Sequence, residues 1–216
     1  MLGIDEAGRG SLLGPLVVGG FLVGPEYLDR LSALGVKDSK LLSPPQRETL
    51  YQKLRAFGRC AAVAIAPREI DRWVSRGQLN QLEARSFATL IRRYHPTEVY
   101  VDACDPEETR FARQVRRFAH TRSRIVARHH ADRDIPVVSA ASIVAKVRRD
   151  RAIERLRRQI GTEIGSGYPS DKSTIEYARS ILRQGLTETP WVRHSWSTAR
   201  RLKAERAARS LDEFVS

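Results

Sequence analysis

Cysteine is nearly absent from this 216-residue chain, with only Cys60 and Cys104 present. That excludes a disulfide framework and a thiolate zinc site. Long apolar runs are missing too. The longest, Leu12 to Val23, is too short to span a bilayer and is broken by Gly14, Pro15, Gly19 and Gly20. Asp5 and Glu6 stand before it, where a secretory signal carries basic residues. Internal repeats and low-complexity linkers are also lacking. What is present is 41% hydrophobic residues, enough for a full-sized core and too many for general disorder. The expectation is a soluble, cytoplasmic globular protein with no membrane partner.

Acids are the scarce charge. Against 25 Asp and Glu stand 38 Lys and Arg, a formal net charge of +13. A surplus of this size favours polyanionic partners. Between Thr109 and Ala131 there is no acid, while Arg110, Arg113, Arg116, Arg117, Arg122, Arg124 and Arg128 all occur. Helical spacing puts Phe111, Val115 and Phe118 on one stripe and Arg110, Arg113 and Arg117 on another. Two further basic runs, Lys146 to Arg158 and Arg193 to Arg209, follow helical patterns. Arginine dominates them, which suits forked contacts to phosphate oxygens. Nucleic acid therefore leads an anionic membrane as the partner.

Punctuation by glycine and proline divides the chain. Leu2–Asp5, Leu16–Val23, Cys60–Ala66, Glu98–Asp102 and Arg124–Ala127 are predicted strands. Helices are predicted over Leu28–Leu34, Pro44–Leu54, Leu79–Tyr94, Pro106–Ala119, Ser139–Gln159, Thr174–Arg183 and Thr198–Ser210. Strands first, then alternation with helices, imply an α/β sheet with an early hairpin.

Two acids end apolar strands: Asp5 after Leu2-Gly3-Ile4, and Asp102 after Val99-Tyr100-Val101. Ligand sites of open α/β sheets form at such carboxyl edges. On neighbouring strands, about 4.8 Å apart, the two carboxylates would repel unless a proton or cation lay between them. Glu6 joins them only if the strand twists or ends, since consecutive strand residues face opposite ways. Carboxylates without thiolates suit Mg²⁺ or Mn²⁺, and an acidic metal pocket on a basic protein suits phosphodiester hydrolysis. The competing reading has Asp5 capping a turn and Asp102 capping the helix after Pro106. Gly8-Arg9-Gly10 with Gly14 matches neither the dinucleotide nor the Walker spacing. His129 and His130 beside Asp132 lack further zinc ligands at useful spacing.

These residues carry a resemblance. Gly3-Ile4-Asp5-Glu6-Ala7-Gly8-Arg9-Gly10, with Gly14-Pro15, resembles the opening signature of type 2 ribonucleases H, the ribonuclease HII family. Asp38-Ser39-Lys40-Leu41, Leu79-Asn80-Gln81-Leu82-Glu83, Val101-Asp102, Ala131-Asp132 and the run Val138 to Lys146 with Arg149-Asp150 follow in family order. Gly165 to Asp171 and Arg193-His194-Ser195-Trp196 complete the series. The motif details are more similar to the archaeal and eukaryotic branch. A start at the first strand, and Asp rather than Glu at 132, favour this type over ribonuclease HIII.

The resemblance implies a ribonuclease H-like fold: a mixed central sheet flanked by helices, with a catalytic domain over 1–190 and a C-terminal helical extension over 191–216. It implies hydrolysis of RNA in RNA–DNA hybrids and incision 5′ of ribonucleotides embedded in duplex DNA. Asp5, Glu6, Asp102 and Asp132 would be the catalytic, metal-binding carboxylates. Gly8, Arg9 and Gly10 would contact the ribose 2′-hydroxyl and its phosphate, Tyr168 would stack on the following deoxyribose, and Ser39, Lys40 and Lys146 would hold phosphates. Ser11, His130 and Ile135 depart from the family pattern. The short chain implies a monomer. Leu211 and Phe214 fit a clamp-binding tail and ordinary hydrophobic docking equally.

Overall fold

The computed structural model describes residues 1–36, 42–184 and 189–215. Among them are five strands, β1 (Leu2–Ala7), β2 (Leu16–Leu22), β3 (Arg59–Ile65), β4 (Glu98–Asp102) and β5 (Arg124–Arg128). They lie side by side in the order β3-β2-β1-β4-β5. The expected hairpin is there: β1 and β2 are antiparallel, with Asp5 opposite Gly19 and Glu6 opposite Val18. On its other side β1 runs parallel to β4, Ile4 against Val101, and β4 runs parallel to β5. The sheet is therefore mixed.

The described helices are α1 (Leu28–Ala33), α2 (Pro44–Arg55), α3 (Pro67–Val74), α4 (Leu79–Tyr94), α5 (Glu108–Ala119), α6 (Ala131–Asp134), α7 (Pro136–Ile160), α8 (Lys172–Arg183) and α9 (Ser197–Val215). None of them is long and apolar enough to cross a membrane. The chain divides into two compact units. The first takes Met1–Ala7, Val17–Ala64 and Gln78–Asp150; the second takes Gly8–Leu16, Ile65–Gly77 and the residues from Arg151 onward.

In the first unit the decisive contact is helix on sheet. A Cβ on Gly3 would meet the Val137 carbonyl oxygen at 2.0 Å, and one on Gly19 would meet Ala141 O and Ala145 N at 2.5 Å. Glycines on the sheet and alanines on α7 thus let the two backbones approach closely. Phe21, Leu54, Val138, Ile143 and Val144 fill the core around this contact. On the opposite face, Leu90 of α4 covers Gly20, and Phe87 of α4 meets Phe111 of α5 edge-on, with ring centres 5.4 Å apart. Of the stripes read along α5, Phe111 and Val115 are fully buried and Phe118 is half-buried, while Arg110, Arg113 and Arg117 are exposed.

The second unit has its own core of Leu12, Leu13, Ile153, Ile164, Ile181, Val192 and Leu202. Its helix α3 and the four-residue α6 of the first unit have no counterpart in the sequence reading. The turn signal for α3 was available, because Pro67 occupies its first position and Ile70 is buried three residues on. α7 likewise starts at Pro136, three residues earlier than expected. α5 starts at Glu108 rather than Pro106, because Asp105 accepts the Glu107 N–H at 2.9 Å and organises that end.

Candidate active site

Three of the singled-out acids converge at the carboxyl edge of β1 and β4. The parallel register of Ile4 with Val101 sets Asp5 beside Asp102 on adjacent strands. Asp5 faces α7, as does Gly3 two residues earlier. Gly19, directly across the hairpin, brings no side chain into the space. Asp132 arrives by a different route. Oδ1 of Asp102 accepts the backbone N–H of Ala131 at 2.8 Å, which draws the start of α6 against the end of β4. The Ser139 hydroxyl of α7 then donates to the Asp132 carbonyl at 2.6 Å. His130, left-handed at φ 56°, makes the turn that lets α6 begin there.

This convergence is electrostatically costly. Asp5 is 5% exposed, and its pKa is pushed from an ordinary 3.8 up to about 7. Burial is the largest cause, followed by the Asp102 charge; Asp132 adds a smaller push. The Ser142 hydroxyl and the Glu6 N–H, which donates to Asp5 Oδ1 at 2.7 Å, favour the anion and offset part of the rise.

Glu6 behaves differently. β1 does not end at Asp5 but continues to Ala7 in register with β2, so alternation directs Glu6 to the face opposite Asp5. Only at Gly8, with φ 84°, does the strand turn away. Oε2 of Glu6 and Oδ1 of Asp132 are sealed from solvent and accept no hydrogen bond, although both side chains have other interactions. Among the described residues no three His, Cys, Asp or Glu side chains form a ready-made cage for a metal ion. The donors that do converge are all carboxylate oxygens, the chemistry that Mg²⁺ and Mn²⁺ take. A cation among them would remove the repulsion that Asp5 bears.

The competing roles of these acids resolve residue by residue. Asp105, not Asp102, organises the start of α5, whereas Asp102 bonds the N-terminal N–H of α6. The ring of His129 sits near the carbonyl oxygens of Ala103 and Pro106, at 3.2 and 3.4 Å. Lys146 is half-buried on α7, in the first unit. Gly8, Arg9, Gly10 and Tyr168 belong to the second unit, where Gly10 is exposed and Arg9 and Tyr168 are half-buried. Within it the carbonyl of Gly167, the residue before Tyr168, accepts the N–H groups of Leu12 and Leu13 at 2.7 and 3.0 Å. The glycine loop and the tyrosine are thereby tied together. Ser39 and Lys40 lie outside the described residues. Ser142 escaped the sequence reading as a contributor, although its position within Val138 to Lys146 marked the segment.

The family description "Ribonuclease HII" matches residues 2–199. A ribonuclease HII from Methanoregula boonei is 43% identical over 212 residues, covering 98% of each chain. The crystal structure of the ribonuclease H2 from Pyrococcus horikoshii OT3 is similar at a TM-score of 0.86 and 40% identity, over 94% of this chain and 97% of that one. The PCNA:RNase HII complex from Archaeoglobus fulgidus contains a chain similar at 0.84 and 39% identity, over 94% and 96%. The family match over residues 2–199 and the near-complete coverage of relatives about 40% identical agree, and the chain belongs to the ribonuclease HII family of endoribonucleases.

Proposed function

We propose that Asp5, Asp102 and Asp132 hold divalent metal, Mg²⁺ or Mn²⁺, for hydrolysis of the RNA strand in RNA–DNA hybrids, and that Glu6 joins them from the other face of β1 where the strand turns away at Gly8, its Oε2 sealed from solvent. On this reading the enzyme also incises 5′ of single ribonucleotides in duplex DNA, leaving 3′-hydroxyl and 5′-phosphate ends. The observation that carries the proposal is the burial of like charges at the β1–β4 edge, with Asp5 lifted to about 7. A protein spends stability on such an arrangement where a cation is to be bound. When bound, the metal supplies charge neutralisation at the phosphate and a lowered pKa for the attacking water.

The chain's own residues do the rest. Asp5 and Asp102 are held rigidly, one by the strand pairing of β1 and the other by the Ala131 N–H. Gly8, Arg9 and Gly10 present backbone groups to the ribose 2′-hydroxyl, the atom that separates RNA from DNA. Tyr168 stacks on the sugar that follows, and Lys146, Ser39 and Lys40 counter phosphate charge. The exposed arginines of α5 and the net charge of +13 draw the polyanionic duplex to the protein. A sliding-clamp partner is proposed on the 39% identical relative solved with PCNA.

One assay tests the reading. A duplex carrying a single ribonucleotide is incubated with Mg²⁺ or Mn²⁺ and the products are sized. The expected result is one incision 5′ of the ribonucleotide, abolished by chelator. An intact duplex with tight, salt-sensitive binding would instead mark a noncatalytic binder. Cutting of branched all-DNA substrates alone would mark a junction nuclease.

A further inference from the structure

Arg193 is fully buried, the largest side chain among the described residues with so little exposure. A guanidinium is costly to bury unless its N–H groups all find acceptors. Here it is spent on backbone. Nη1 donates to the Arg9 carbonyl at 2.9 Å, and Nε and Nη2 donate to the Gly14 carbonyl at 3.2 and 3.1 Å. The Arg193 N–H bonds Leu12 O at 2.9 Å, and the guanidinium lies over the Trp196 ring, 5.0 Å from its centre. One side chain thus grips both ends of the segment Arg9 to Gly14.

The grip has a geometric consequence. The peptide joining Arg9 to Gly10 is trans, so its C=O and N–H point in opposite directions. Turning the Arg9 carbonyl inward to Arg193 turns the Gly10 N–H outward. Gly10 is exposed, and a Cβ added to it would have no atom within 4 Å. The Gly10 N–H is therefore held pointing away from Arg193, on an exposed residue with room for a ligand beside its Cα, at the position assigned to the ribose. Arg193 is itself held in place. Asp71 of α3 accepts the His194 and Ser195 N–H groups, each at 2.9 Å, and the Ser195 hydroxyl at 2.5 Å.

We infer that Arg193 is a positioning residue for recognition of the 2′-hydroxyl: it sets the Arg9–Gly10 peptide plane without touching substrate. The inference rests on the proposed role of the Gly8–Gly10 loop. Its test is Arg193→Lys, which keeps the charge but cannot fork between two carbonyls. Steady-state cleavage of a duplex with a single ribonucleotide is measured well below the melting temperature. Hydrogen exchange at the Gly10 and Ser11 amides is followed in parallel. The expected result is a kcat about a hundredfold lower with KM and the Mg²⁺ requirement unchanged, and faster exchange confined to the loop. A folded Arg193→Lys protein with wild-type kcat and wild-type loop exchange overturns the inference. Failure of the underlying activity reads differently, since the wild-type chain would then leave the ribonucleotide duplex intact. If Arg193→Lys does not fold, Asp71→Asn loosens the same segment at one remove. It should lower kcat about tenfold with KM unchanged, and a wild-type kcat there also overturns the inference.

Discussion

Asp5 and Asp105 are the same residue type at nearly the same burial, 5% and 3% exposed, yet their surroundings act in opposite directions. Burial alone would raise both. Around Asp105 it is outweighed by Arg110, which donates twice to Oδ1, by the Glu107 N–H and by Asn80 at 3.1 Å, so its carboxyl titrates below the ordinary value. Around Asp5, burial is reinforced by Asp102 and Asp132. One region spends its donors to satisfy an acid; the other gathers acids on one another. The first is what a helix start requires. The second stabilises nothing by itself and gains meaning only through what it binds.

The contrast can be broken by substitution, and the largest effect belongs to activity. Asp5→Asn or Asp102→Asn should reduce cleavage about a thousandfold or more, the equivalent of about 4 kcal/mol in the barrier, while hybrid binding persists. Turnover and gel-shift measurements check this, and retained activity in both variants would remove the mechanism. Asp105→Ala should do the reverse. It should lose about 1–3 kcal/mol of stability in urea unfolding and keep its cleavage rate per folded molecule.

A smaller effect sharpens the difference. Asp5 takes up a proton on folding, because it holds one to about pH 7 in the folded chain and releases it near 3.8 when unfolded. Stability of the metal-free protein should therefore fall as pH rises from about 4 to about 7. Asp5→Asn should lack that fall and melt a few degrees higher than wild type at pH 8, as thermal unfolding at both pH values would show. The smallest effect extends the contrast to cations. Arg110 and Arg113 are engaged by Asp105 and Glu107, whereas Arg116 and Arg117 stand exposed. Arg116→Gln and Arg117→Gln should leave kcat unchanged and each reduce the salt slope of duplex binding by about 1.

The parts legible in the sequence were those governed by local rules. The strand Glu98–Asp102 came out to the residue, and the helix from Leu79 stops before Pro96 as read, because apolar alternation and the stop at proline are local signals. The placement of Asp5 and Asp102 at strand ends was legible, but their juxtaposition was conditional on the two strands being neighbours, which the parallel register of β1 and β4 supplies. Asp132 was different. Its approach depends on one hydrogen bond between residues 29 positions apart and on a four-residue helix too short to show a period. Only the family resemblance singled it out. Arg193 was equally hidden, since its partners Arg9 and Gly14 are backbone carbonyls nearly the whole chain away. A sequence displays side chains, not the peptide planes they orient.

Binding of Mn²⁺ to the metal-free protein, followed by calorimetric titration at pH 8, addresses the central claim without recourse to catalysis. Wild type and Asp105→Asn should take up the ion alike, and Asp5→Asn and Asp102→Asn should bind it at least about tenfold more weakly. Equal uptake by all four proteins would contradict the account, because the acids at the β1–β4 edge would then have no cation to hold.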